Sequence, residues 1–312
     1  MDRKKNKNST VFQGIKKDIC KYKSLYLLVI PVVIWYILFE YKPLYGILIA
    51  FQDYRPRLGV AGSKWVGLKH FKDFVNSFYF GRTVKNTLII SLSNIIVGFP
   101  APIIFALLLN EIKNLKFKKL VQTISYMPHF ISMIVMTSMI RTFVAHNGII
   151  TSILHALFDV PKQSLLTMEQ YFVPIHVISG IWQGLGWSAI IYIAALSNVD
   201  QELYDAASID GANRWKQTLY VTIPSIMPTI IIMLLLRLGR VMSVGQEKIL
   251  LLYNEGIYDT ADVISTYVYR RGLLDSQYSY GAAVGLFNTI INFIIVMTFN
   301  KISKKVTDIG LW

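Results

Sequence analysis

Two arginines, Arg237 and Arg240, stand three residues apart inside an otherwise apolar run, 223–244. Helical spacing would make them neighbours on one face, with Ser243 and Glu247 continuing the stripe. An arginine at membrane depth costs roughly 2.5–3.5 kcal/mol to insert, and two side by side repel each other. The pair therefore demands an anion. One reading supplies it structurally, from Glu247 or from a carboxylate of a partner chain. The other supplies it from a passing solute, because guanidinium groups bind carboxylates bidentately. Other polar residues in apolar runs carry the same two-way reading. Asn288 and Asn292 follow Gly281 and Gly285 at helical spacing; that stripe can be a close-packing seam or a wall of amides facing a polar solute. Ser91, Asn94, Gly98 and Ala101 form a similar stripe, read as packing. Trp182, Gln183 and Trp187 bring ring faces that either stack on a solute or anchor a helix at the membrane interface.

Several chemistries are absent. No Gly-x-x-x-x-Gly-Lys-Ser/Thr occurs, so no loop cradles nucleotide phosphates and ATP must be handled by another chain. The five histidines show no metal-ligand spacing, and His129 is read as packing beside Pro128. No nucleophile–base arrangement is present. The single cysteine, Cys20, excludes an internal disulfide.

The elements that must position these residues are membrane helices. Of the 312 residues 54% are hydrophobic and only 16% charged, and the mean hydropathy is +0.45. The apolar residues gather in six blocks near 25–39, 87–110, 120–143, 172–197, 223–244 and 280–299, each near the roughly 20 residues that span a bilayer. The net charge of +14 is concentrated in the N-terminal tail (Arg3, Lys4, Lys5, Lys7, Lys16, Lys17, Lys21, Lys23), in a short loop (Lys113, Lys116, Lys118, Lys119) and after the last block (Lys301, Lys304, Lys305). That is a positive-inside pattern rather than a nucleic-acid-binding surface. It places both termini in the cytoplasm, with the first block an uncleaved anchor. Residues 42–85 are basic too, yet long loops translocate largely regardless of charge. The expected fold is an all-α polytopic membrane protein of about six helices. It divides into a tail, first helix and external loop (1–86), a five-helix core (87–301) and a cytoplasmic C-terminal tail (302–312). Prolines 100, 102, 128, 224 and 228 interrupt the blocks, which suits a bundle packed around something.

The cytoplasmic loop 198–224 reads as two short helices. Asp200 caps the first, Gly211 ends it in a sharp turn, and Asn213 caps the second, with Trp215 and Leu219 on one face and Pro224 opening the next membrane helix. Small residues in the first helix allow close approach by a partner. Here Asp205-Ala206-Ala207, Gly211, Val221, Ile223 and Pro224 fall in register with the EAA loop of permeases from binding-protein-dependent ABC importers, which the stretch resembles. Asp205 replaces Glu, Val221 replaces Ile and Ile223 replaces Leu, all conservatively. Asp210-Gly211-Ala212 is similar to the carbohydrate-transporter form of the loop. The segments Phe99-Pro100-Ala101-Pro102, Leu107 to Glu111, Ser125 to Ser132 and Gly310-Leu311-Trp312 resemble the polysaccharide branch of carbohydrate importers, relatives of the maltose permeases.

The resemblance implies a type I importer transmembrane domain in the bacterial cytoplasmic membrane. It implies a second permease subunit, two ATPase subunits that carry the ATP and Mg, an extracellular solute-binding lipoprotein, and an oligosaccharide as cargo. It puts ATPase docking on Glu202, Asp205, Ala206, Ala207, Asp210, Gly211, Ala212, Arg214, Trp215 and Pro224. The substrate pathway is expected at Arg237, Arg240, Asn288, Asn292, Trp182, Gln183 and Trp187. In that family's pattern a basic residue at 237 is usual and a small one at 240, which makes Arg240 the better candidate for contact with an acidic, uronate-containing cargo. Alternative readings are a permease for a non-sugar solute, or an ion-coupled secondary transporter.

Overall fold

The computed structural model describes residues 21–311; the basic residues before Lys21, Cys20 and Trp312 lie outside them. The chain forms two compact units divided between Gly67 and Leu68. The expected boundaries at 86/87 and 301/302 do not coincide with that division. Residues 69–75 pack with the final helix of the second unit, and that helix runs through 301 to Thr307.

In the first unit a 29-residue helix, Lys23–Phe51 (α1), carries exposed apolar side chains along its length. It continues past Phe39 despite Pro43. A wide π turn at Tyr36–Tyr41 precedes the proline, and the next N–H reaches back five residues, from Lys42 to the Ile37 carbonyl. The turn absorbs the donor that proline lacks. Two short antiparallel strands follow, Gln52–Asp53 (β1) and Lys64–Trp65 (β2), with Trp65 stacked on Phe51 at 5.6 Å.

The second unit contains Lys69–Val75 (α2), Phe78–Glu111 (α3), Leu115–Phe130 (α4), Met133–Phe143 (α5), Ile149–Phe158 (α6), Glu169–Ser197 (α7), Gln201–Ile209 (α8), Arg214–Leu238 (α9), Gln246–Leu252 (α10), Ile264–Val268 (α11) and Tyr278–Thr307 (α12). Among the described residues, counting α1, five helices are long and apolar enough to cross a membrane, or six if the bent pair α4–α5 is one span. The third expected block is not straight: α4 and α5 meet at 100°. Pro128 sits in a 3-10 turn, and Ser132 then caps a new helix by accepting from the Val135 N–H at 3.4 Å. Helix α7 passes close to α4, where a Cβ on Gly186 would lie 2.3 Å from the Ser125 carbonyl oxygen. Gly281 likewise meets the Gly272 backbone.

Three apolar clusters hold the unit together. One joins α5, α7, α10 and residues 257–263; a second joins α2, α11 and α12; the third joins the far halves of α3 and α7 to α9. A buried ionic cluster ties residues 258–270 to the start of α3. Asp262, fully buried, accepts from Arg270 at 2.8 Å, Arg82 at 3.3 Å and the Thr266 hydroxyl at 2.8 Å. Its backbone carbonyl accepts from Asn86 at 3.0 Å.

Candidate functional site: a docking hairpin and a cation-lined cavity

The hairpin between α7 and α9 follows its local sequence closely. The Asp200 carboxylate accepts from the Glu202 N–H at 3.0 Å and starts α8. Gly211 adopts φ +74°, a left-handed turn that a side chain resists, and the Ala212 N–H closes it onto the Ala207 carbonyl at 2.9 Å. Asn213 then caps the next helix through the Lys216 N–H at 2.9 Å. Gln217 bonds the Ser208 hydroxyl at 2.9 Å and the Tyr204 hydroxyl meets Thr222 at 3.0 Å, so the two arms are clasped. Arg214 pairs with Glu111 at the end of α3, at 2.7 Å. Leu203, Ile209, Trp215, Leu219 and Tyr220 all stand exposed. Glu202, Asp205, Ala206 and Asp210 are exposed as well, and Ala207 and Ala212 are half-buried. This is a polar-rimmed apolar face of a kind that seats in a partner's groove.

The second arm differs from expectation. It is not a separate helix that yields to a new one at Pro224; α9 is continuous from Arg214 to Leu238. A π turn at Thr218–Thr222 precedes Pro224, with the Ile223 N–H donating to the Thr218 carbonyl. This is the device already seen before Pro43.

At the other end α9 stops early. The apolar run predicts helix to Val244, but the helix ends at Leu238 and residues 239–245 leave it. Arg237 and Arg240 are therefore not on one helical stripe with Ser243 and Glu247. Polar side chains from neighbouring helices take over the freed backbone groups. Asn292 of α12 accepts from the Met242 N–H at 2.8 Å and donates to the Ser243 hydroxyl at 3.1 Å. Ser91 of α3 donates to the Val241 carbonyl, and Ser265 to the Val244 carbonyl at 3.3 Å. Irregular backbone at membrane depth is tolerated where protein satisfies it or where it lines a cavity, and here both hold.

The cavity, about 330 Å³, is an open cleft lined by this stretch, α3, α5, α7 and α10. Ser91, Asn94, His176, Gln183, Arg237, Arg240, Ser243 and Lys248 are among its lining residues. Arg237 and Arg240 also border an adjoining space of about 430 Å³ with Ser188 and Tyr192. No carboxylate lines either space among the described residues.

The three cations differ. Arg237 is engaged: Pro100 and Pro102 remove the helical donors to the Ile96 and Gly98 carbonyls. Its guanidinium donates to the Asn94 carbonyl at 2.9 Å and to that of Gly98 at 3.5 Å. The charge expected to need an anion is thus met by backbone carbonyls, and Glu247 pairs with neither arginine. Arg240 is exposed to the cavity and its side chain has no hydrogen bond or ion pair among the described residues. Lys248, 6% exposed, spends one donor on the His176 carbonyl at 2.6 Å. Burial lowers its pKa to about 8.

Of the residues expected along a pathway, Arg237, Arg240 and Gln183 line the cavity. Gln183 also donates to the Ile131 carbonyl at 3.1 Å. Asn292 and Asn288 hold the 239–245 stretch, both through Ser243. Trp187 stacks on His129 at 4.5 Å and Trp182 lies on the outer surface. Two lining residues were missed. Lys248 opens an apolar run, Ile249 to Leu252, and His176 is the one histidine inside the fourth apolar block. An ionisable residue at the edge of, or inside, an apolar run was the available signal in each case.

Helices long and apolar enough to cross a membrane, an exposed hairpin and a cation-lined cavity together describe a membrane transport subunit. The chain belongs to the family of inner membrane components of binding-protein-dependent transport systems, which matches residues 98–306. It is 41% identical to the polygalacturonan/rhamnogalacturonan transport system permease of Bacillus subtilis, over 94% of this chain and 92% of that protein. An arabinooligosaccharides transport system permease of the same organism is 28% identical, covering 92% and 89%. The crystal structure of a bacterial alginate ABC transporter in complex with an alginate pentasaccharide-bound periplasmic protein contains a chain with TM-score 0.86 and 38% identity, covering 95% of this chain and 99% of that one. The ion-coupled reading is thereby set aside.

Proposed function

We propose that this chain is one of two permease halves that together pass an oligosaccharide across the cytoplasmic membrane, driven by ATP hydrolysed on separate subunits. One observation carries the reading: α9 joins the exposed docking face at Trp215 directly to the cavity at Arg237. Two ATPase subunits seat on the hairpins of the two halves, and an extracellular binding lipoprotein delivers cargo at the opposite end. Both termini lie in the cytoplasm. The cavity's Asn94, Gln183, Ser91 and Ser243 supply the neutral hydrogen-bonding groups that sugar hydroxyls require, and the saccharide transport of the relatives supports that cargo.

The test is reconstitution of this chain with a second permease, the ATPase and the binding protein in liposomes. Hydrolysis is expected to rise when the binding protein is loaded with oligosaccharide and to require every component. ATP hydrolysis by this chain alone, or no response to loaded binding protein, refutes the assignment. Single cysteines in a background without Cys20 report the orientation; labelling at position 214 from outside intact cells overturns it.

A further inference from the structure

The cavity described above is more than polar. Three cations line it, no carboxylate among the described residues faces it, and their donors are unequally committed. Arg237 is spent on the carbonyls of the α3 proline break. Arg240 has no partner for its guanidinium among the described residues. Among the described residues Lys248 has two of its three donors unspent, and its one hydrogen bond goes to a neutral carbonyl. Beside it His176, 5% exposed and lining the same cavity, leaves Nδ1 without a hydrogen-bond partner. A buried ammonium with no counter-ion is costly. A protein that only needed to fill this space would do better with an apolar side chain. Retaining a lysine there makes sense if an anion arrives in the course of function.

We infer that Arg240 and Lys248 form a carboxylate-reading subsite that selects uronate-containing oligosaccharides over neutral ones, with His176 meeting a hydroxyl beside the carboxylate. The inference rests on the oligosaccharide-importer reading and adds a charge requirement and the residues that impose it. Arg240 supplies a planar fork for a carboxylate and Lys248 a point charge with movable donors. The neutral groups of Asn94 and Gln183 do not distinguish acidic from neutral rings, so the discrimination falls to the two cations.

The experiment uses the complete reconstituted complex. Uptake of an oligogalacturonide is compared with that of its carboxyl-reduced, neutral counterpart of equal length, each delivered at saturating loaded binding protein. The variants are Arg240→Gln, Lys248→Gln and Arg237→Gln, with assembly checked by size exclusion. The acid-to-neutral uptake ratio is expected to fall about tenfold or more in Arg240→Gln, the size of one lost charge-assisted contact. Lys248→Gln should do the same, and Lys248→Arg should recover most of the ratio. Because Lys248 is buried and its loss could impair folding, the exposed Arg240 carries the decisive arm. Arg237→Gln should lower assembly or both uptakes together. An assembled Arg240→Gln complex whose ratio matches wild type overturns the subsite while leaving the importer reading intact. A wild-type complex that moves neither saccharide overturns the importer reading and the subsite with it.

Discussion

Asn292 is the single side chain on which the shape of residues 239–245 most depends. It is 8% exposed, accepts from the Met242 N–H at 2.8 Å and donates to the Ser243 hydroxyl at 3.1 Å. Met242 is itself 2% exposed and its N–H has no other acceptor. Asn292→Ala would strand that donor in a nearly fully buried position. A buried donor left unpaired costs about 1–3 kcal/mol, above the roughly 0.6 kcal/mol average of hydrogen bonds between membrane helices, because here the orphan is a backbone group with no alternative. The stretch would therefore relax from its present course in a fraction of molecules about 5- to 150-fold larger than now. Arg240 and Ser243 would lose their placement with it. The assay is thermal unfolding of the detergent-solubilised complex alongside uptake in liposomes. Asn292→Ala should lower both. An Asn292→Ala protein with unchanged melting and unchanged uptake would refute the claim that this amide holds the broken helix.

Four further outcomes are expected. Asp262→Asn removes the charge shared by Arg82 and Arg270; breaking a buried pair from one side costs about 3–5 kcal/mol, to be read as a marked drop in melting temperature, whereas an unchanged midpoint would mean the cluster is idle. Gly186→Ala drives a methyl against the Ser125 backbone and should cost about 1–3 kcal/mol by overpacking, while Gly81→Ala, where a Cβ meets nothing, serves as the neutral comparison. Gly211→Val forces a β-branched residue to φ +74° and should leave membrane insertion intact but weaken ATPase binding, measured by copurification; full retention of the ATPase removes the hairpin as the dock. Acid-cargo preference should depend on pH through Lys248, whose burial brings its pKa to about 8. The ammonium is charged below that value and neutral above it, so the preference holds at pH 7 and fades as pH rises past 8. Arg237, Arg240 and His176 share the cavity with Lys248, and arginine as a residue type stays charged across this range. Lys248→Arg should abolish the alkaline edge, and a profile that it leaves untouched counts against Lys248.

The hairpin was legible because its determinants are local. Asp200, Gly211 and Asn213 each act within three residues, as cap or turn, and the structure uses them so. The end of α9 was not, because nothing in Leu238-Gly-Arg-Val-Met-Ser-Val forbids continuing a helix. The chain leaves it there because Ser91, Asn292 and Ser265, distant in sequence, offer better partners for its backbone. Arg237 was misjudged for a related reason. Its counter-group is a pair of carbonyls near the proline break in α3, a partner that charge counting along the sequence overlooks. The prolines themselves gave mixed signals. Pro128 does break its span, but Pro43 and Pro224 do not, since a wide turn before each passes the missing donor along.

The unbroken course of α9 has a mechanical consequence. From Arg214 to Leu238 it is 25 residues, about 37 Å of helix at 1.5 Å per residue. A rod of that length would act as a lever arm with Trp215 at one end and Arg237 at the other. A tilt of about 5° imposed at the hairpin would sweep the far end through roughly 3 Å, about one hydrogen-bond length. That is enough to separate Arg237 from the Asn94 carbonyl it now holds at 2.9 Å. The wide turn at Thr218–Thr222 and Pro228 beyond it are the two places where such a rod would give, so the tilt reaches the cavity in full only when both stay straight.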